Sequence, residues 1–435
     1  MRKQRFIFFA VFLCACLAAM PACSSGGRND KSNSAGNTAE SAPSKSSSDT
    51  SGKDDAAGGA GESKGEETGT GSGPARGGGG GSTGSPGGKP AQDIPAGQLT
   101  AGEWNDLREW KRWKLQLQES DWGNAEQYWG FYTAQRLTVL VTYQNKPVPD
   151  AEVILSDSRQ GPVWKARTDR KGQAELFAAP FDPQGQGGPY RITAESGQDT
   201  RVVENVEFER QEPLKVELRN EPEATDSLDV LFAVDTTGSM GDELEYLEAE
   251  LKNVVQRIEQ ENNQKLDMRI SSNFYRDIQD SYTIKDFPFT RSIDEVVEQF
   301  SAQSAAGGGD YPEAVELALD NAVNEHDWSD HARARLLFLV LDAPPRHKPE
   351  TIEKVKKVIQ QAAAKGIRII PVVSSGIDSD TEYILRTFGI YTGGTYVFLT
   401  DHSGIGSDHK EAEVGEFQVE YLNDLLVNIV NGYVK

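Results

Sequence analysis

The chain has 435 residues but only three cysteines, at positions 14, 16 and 23. Everything after Cys23 therefore lacks a disulfide framework and must fold on its own core, and cysteine catalysis and zinc–thiolate sites are excluded there. Histidine is also scarce: His326, His331, His347, His402 and His409 are the full set, and none has the H-E-x-x-H spacing. Positive charge is in deficit, with 45 Lys and Arg against 67 Asp and Glu for a net charge of −22. That balance argues against a nucleic-acid partner. No G-x-S-x-G elbow exists, since "TGSMG" opens on threonine, and no G-K-[ST] follows "GGGD". With these devices missing, the expectation is a binding protein and not an enzyme.

A long apolar run is missing too. The stretch from Phe6 to Met20 follows Arg2, Lys3 and Arg5 and is short for a spanning helix of about 20 residues. Its layout is that of an export signal over residues 1–22. It resembles a bacterial lipoprotein signal, which implies cleavage before Cys23 and a lipid on that residue; a second box, "LCAC", ends at Cys16. The implied setting is outside the cytoplasm, anchored to a membrane by the N-terminal lipid. Residues 23–98 are Ser, Gly, Lys, Asp, Glu and Ala with no apolar period, so they read as a disordered tether. As a flexible coil it would span roughly 50 Å root-mean-square.

Folded sequence begins at residue 99. "LTAGEWNDLREWKRWKLQLQESDW" predicts an amphipathic aromatic helix within 99–129: Thr100 and Glu103 have capping-box spacing, and Leu99 and Trp104 that of a hydrophobic staple. Leu107, Trp110, Lys114 and Leu117 fall along one side, a stripe that either docks on its own domain or stacks on sugars. Over 130–220 the period changes to two, with turns at Asn-Lys-Pro, Pro-Asp and Asp-Arg-Lys-Gly, predicting a small all-β sandwich. "KPVPDAEVIL…ARTDRKGQAELF" resembles a prealbumin-like, carboxypeptidase-regulatory-like module, which implies scaffolding. Residues 221–227 read as a linker.

From 228 to 435 strands and helices alternate, predicting an α/β doubly wound, Rossmann-like domain. In such a sheet, ligands bind beyond the carboxyl ends of the strands. Three polar clusters should meet there: Asp235, Thr237 and Ser239 of "DTTGSM", Asp310 of "GGGD", and Asp342 of "LLFLVLD". Carboxylate and hydroxyl oxygens gathered in one crevice are hard ligands suited to Mg²⁺, Mn²⁺ or Ca²⁺. Each cluster also has a plainer reading, because Ser239 and Asp310 each precede a helix and would serve as caps. "TDHSGIGSDHKE" at 400–411 holds two Asp-His pairs, more in keeping with a solvated loop than with a second metal.

"DTTGSM", the "YRD" at Tyr275–Asp277, "GGGDYPEA" and "LVLDAPP" together resemble a von Willebrand factor A (VWA) domain. That family's metal-ion-dependent adhesion site is Asp-x-Ser-x-Ser, a loop threonine and a strand-end aspartate. By this resemblance Asp235, Thr237, Ser239 and Asp342 are metal ligands, with threonine replacing the first serine. The cation, Mg²⁺ foremost, keeps one position open for an acidic side chain of a protein partner. Asp310 falls where the loop threonine would stand. Three carboxylates on one divalent ion would sum to −1, which implies tighter metal holding and weaker dependence on a partner's carboxylate. The runner-up is a cell-wall or glycan-binding protein acting through the aromatic helix and sandwich, with the metal purely structural.

Overall fold

The computed structural model describes residues 95–435, apart from 158, 160, 186, 209, 211, 224, 263–265, 375 and 406–410. The signal-like segment, Cys23 and almost all of the Ser/Gly-rich stretch lie outside the described residues.

The first element corrects the expected helix over 99–129. It is a strand, β1 (Thr100–Trp104), and only then come two helices, α1 (Trp110–Gln116) and α2 (Ser120–Trp129). Leu99, Ala101 and Trp104 are buried. Thr100 does not cap; its hydroxyl donates to the Thr400 carbonyl, and Glu103 accepts from the Thr395 hydroxyl. The helix-cap spacing was matched by chance, because the partners that make this segment a strand lie almost 300 residues away.

The tryptophans that follow are inside the molecule. Trp113 and Trp122 flank the guanidinium of Arg386, at 5.1 and 4.6 Å from their ring centroids, and Trp113 stacks on Tyr383. Their indole N–H groups donate to the Thr133 hydroxyl and to Glu413. Arg386 is itself fully buried and paired with Asp106 and Glu382. The Trp113 and Trp122 rings are therefore docked on their own domain and not open to stack on sugars. Of the expected stripe, Leu107, Trp110 and Leu117 are partly buried against the same core and Lys114 is exposed.

Next come β2 (Arg136–Tyr143), β3 (Lys146–Pro147), β4 (Glu152–Asp157), β5 (Gly161–Arg167), β6 (Gln173–Phe177), β7 (Tyr190–Ser196), β8 (Asp199–Val206) and β9 (Leu214–Leu218). They form two four-stranded sheets, one with β2 pairing β3, β6 and β9, the other in the order β5-β4-β7-β8. Their inward residues, among them Val139, Val141, Val153, Leu155 and Ile192, enter one core with apolar residues of the helices described next.

The rest is β10 (Ser227–Asp235), α3 (Gly241–Asn262), β11 (Asp267–Tyr275), β12 (Ile284–Asp286), α4 (Ile293–Ser301), α5 (Val315–Asn324), β13 (Ala334–Leu341), α6 (Pro349–Lys365), β14 (Ile367–Val373), α7 (Ser379–Thr392), β15 (Tyr396–Leu399), β16 (Glu420–Tyr421) and α8 (Leu422–Val434). The main sheet has the order β12-β11-β10-β13-β14-β15-β1-β16. Strands β11, β10, β13, β14 and β15 are parallel, while β12, β1 and β16 run against their neighbours. A domain boundary at 228 is thus also corrected: β1 belongs to this sheet, and the two smaller sheets are inserted between β1 and β10.

Side chains of β10 alternate between two cores. Val230, Phe232 and Val234 pack with Leu247, Leu251 and Val254 of α3, and Leu231 and Ala233 with Val315 and Leu319 of α5. Burial on both faces explains why β10, β13 and β14 are nearly continuous apolar runs. Among the described residues no helix is long and apolar enough to cross a membrane.

Candidate metal centre

Strand β10 lies between β11 and β13, where the order of the parallel strands reverses, and its carboxyl end opens a crevice outside the sheet. The crevice has a volume of about 470 Å³ and is lined by Ser239, Gly307–Gly309, Asp310, Tyr311, Glu313 and Asp342, among others. A larger cavity of about 620 Å³ lies between the β1–α1 segment, α8 and the inserted sheets. Its lining holds none of the buried, unpartnered polar atoms found among the described residues.

Asp235 ends β10 and is completely buried. One carboxylate oxygen, Oδ1, accepts from the Thr237 backbone N–H and hydroxyl, both at 2.8 Å. The other, Oδ2, is buried without a hydrogen-bond partner. The Thr237 and Ser239 hydroxyls lie 3.2 Å apart. Asp342, which follows β13, is buried too and leaves Oδ1 unpartnered. Burial, with the field of Asp342, pushes the Asp235 carboxyl up to about 7. Burial likewise raises Asp342, with Glu243 adding to the shift.

The glycine loop packs beside this cluster. Gly307 accepts from the Gly238 N–H, the Ala306 N–H donates to the Thr236 carbonyl, and the Gly308 N–H donates to Asp280. Gly308 has φ of +74°, and a Cβ there would sit 3.0 Å from Glu313 Oε1 and 3.3 Å from Thr237 Cβ. The two motifs therefore crowd either side of a residue whose positive φ already favours glycine.

Of the five residues expected at a metal, Asp235, Thr237, Ser239 and Asp342 come together. Asp310 does not join them. Its side chain is 65 % exposed and pairs with Arg346 at 2.9 Å, and the same guanidinium is bidentate to Asp277. Asp310 is not a helix cap either, since α5 begins at Val315 with Ala314 as its N-cap.

Two groups near the cluster were not anticipated. Glu313 is 4 % exposed, and its Oε2 has no hydrogen-bond partner. Burial, together with Asp235, Asp277 and Asp342, pushes its carboxyl up to about 8. The buried Tyr275 phenol is held well above its ordinary value by burial and by the charges of Asp235, Asp342 and Glu313. Among the described residues no three acidic, imidazole or thiol groups are already drawn together as a metal cage. The close set is two carboxylates with two hydroxyls, and Glu313 stands behind it.

Residues 229–393 match the family model described as von Willebrand factor A domain. This segment is a VWA-type domain. Curated relatives match part of the chain. An ariadne-like RING finger protein of Acanthamoeba polyphaga mimivirus is 27% identical over 188 residues, covering 40% of this chain and 18% of that protein. The alpha-protein kinase vwkA of Dictyostelium discoideum is 27% identical over 164 residues, covering 36% of this chain and 26% of the kinase. The chain thus spans about a quarter or less of these relatives' length. A VWA-type domain suggests protein–protein interaction or adhesion.

Proposed function

We propose that the VWA-type domain binds one divalent cation, Mg²⁺ foremost and Mn²⁺ or Ca²⁺ as alternatives, and through it engages a protein partner by an acidic side chain. The observation that carries this reading is the pair of buried carboxylate oxygens, Asp235 Oδ2 and Asp342 Oδ1, left without partners at adjacent strand ends. Unpaired buried carboxylates are costly, and a hard divalent cation offsets that cost. Asp235, Thr237, Ser239 and Asp342 would hold the ion. The cation would supply a Lewis-acidic site for a partner's carboxylate. The chain's own residues orient the ligands: Thr237 fixes one oxygen of Asp235, and the glycine loop leaves the mouth open.

The same reading places the protein outside the cytoplasm, lipid-anchored at Cys23, with the inserted sheets as a prealbumin-like sandwich serving as scaffold. Its role is binding rather than catalysis.

The test is calorimetric titration of Mg²⁺, Mn²⁺ and Ca²⁺ into the chelator-stripped full-length protein, with Asp235→Ala and Asp342→Ala alongside. One-to-one binding lost in both variants supports the site. No heat from the wild type with any of the three ions sinks it.

A further inference from the structure

The glycine loop carries two acidic residues, Asp310 and Glu313, and the structure treats them oppositely. Asp310 is solvated and already neutralised by Arg346. Drawing it onto a cation would break that pair, and Arg346 would keep only Asp277. Glu313 is buried, its Oε2 bonds to nothing, and its Oε1 rests against Gly308 beside Thr237. Turning Oε2 toward an ion costs no hydrogen bond. The Glu313 backbone N–H donates to the Pro344 carbonyl, two residues beyond Asp342, so the loop and the end of β13 are joined at this position.

We propose that Glu313, and not Asp310, is the carboxylate this loop contributes to the cation, and that Arg346 keeps Asp310 out at the rim. The inference rests on the metal-site reading above and specifies its ligand set. With Asp235, Glu313 and Asp342 the protein supplies three negative charges to a divalent ion and holds it without help from a partner. Arg346 has a defined part: it stitches Asp277, after β11, to Asp310 of the glycine loop. Loss of Arg346 would free Asp310 to compete with Glu313.

Mn²⁺ is the probe, read by its electron paramagnetic resonance signal in titrations of the metal-free full-length protein. Wild type, Asp235→Asn, Glu313→Gln and Asp310→Asn are compared, with thermal unfolding of each in chelator as a check on folding. Glu313→Gln preserves shape, so its metal-free protein should melt at or above the wild-type temperature while Mn²⁺ affinity drops about tenfold or more. Asp310→Asn should change affinity by no more than about threefold, the scale of an exposed ion pair. Wild-type affinity in Glu313→Gln, with binding lost in Asp235→Asn, overturns this inference and leaves the metal site standing. A large loss in Asp310→Asn alone also overturns it. Absence of Mn²⁺ binding by the wild type overturns both. Should Glu313→Gln unfold in chelator, Glu313→Asp decides: a folded protein with wild-type affinity overturns the inference, and a weakened one supports it.

Discussion

Asp150 and Arg335 meet in a buried ion pair, with Arg335 Nη1 donating to Asp150 Oδ1 at 2.9 Å. Asp150 belongs to the turn before β4 and Arg335 to β13, so the pair joins an inserted sheet to the VWA sheet. Arg167 donates to the same carboxylate at 2.8 Å, and the Ala332 N–H donates to it at 3.2 Å.

Removing that carboxylate would leave the buried Arg335 guanidinium without its counter-charge and take one partner from Arg167. Asp150→Asn keeps the size and suits the positive φ of 58° at this position. The expected loss is about 3 kcal/mol, as for breaking one side of a buried pair. Denaturant unfolding should show one shifted transition. Two separate transitions would mean that the inserted sheets and the VWA sheet do not unfold together.

A fragment beginning at residue 221 retains the whole VWA signature but lacks β1. It would expose β15 as an unpaired edge, a template for association. It would also deprive buried Glu250 of the N–H donors of Gly97, Gln98 and Leu99. That fragment should aggregate or melt well below the full chain, whereas one from residue 95 should match it. Circular dichroism and size-exclusion chromatography distinguish these outcomes.

Metal removal gives a third prediction. A ligand at about 100 times its dissociation constant stabilises a fold by roughly 2.7 kcal/mol. Saturating Mg²⁺ should therefore raise the melting temperature of the chelated protein by several degrees, and Asp235→Asn should abolish that rise. An unchanged melting curve for the wild type would contradict metal holding.

His326 gives a pH dependence independent of the metal. Its Nε2 is buried without a partner, its Nδ1 lies 3.3 Å from the Ser271 hydroxyl, and Phe289 packs edge-on against the ring. Burial lowers its proton affinity below the ordinary histidine value, only partly opposed by Asp286. The unfolded chain therefore binds the proton more readily than the fold. Stability is fully present above about pH 6.5 and falls as pH drops from there toward the folded-state value. Melting curves with a metal chelator between pH 5 and 8 should show this slope, and it should flatten in His326→Gln.

How far the sequence could be read depended on distance along the chain. The apolar runs of β10, β13 and β14 and the α3 stripe are local periodicities, so the doubly wound sheet was visible from them. Asp235 and Asp342 stand where such runs end. Strand β1 was hidden, because five residues with helix-cap spacing become a strand only against β15 and β16. Asp310 was assigned by register alone, and Arg346, which turns it outward, comes 36 residues later. Nothing in the sequence around Glu313 signals its burial, which comes from packing beside Gly308 and Thr237.

The pairing of Ala101 with Leu399, the last residue of β15, puts the start of β1 at the carboxyl edge of the parallel strands, the edge that also carries the carboxylate cluster. The chain enters the domain on the side where the crevice opens. A pull between that entry point and the crevice would run across β15, β14 and β13, and would load the β1–β15 ladder rung by rung from its Ala101 end.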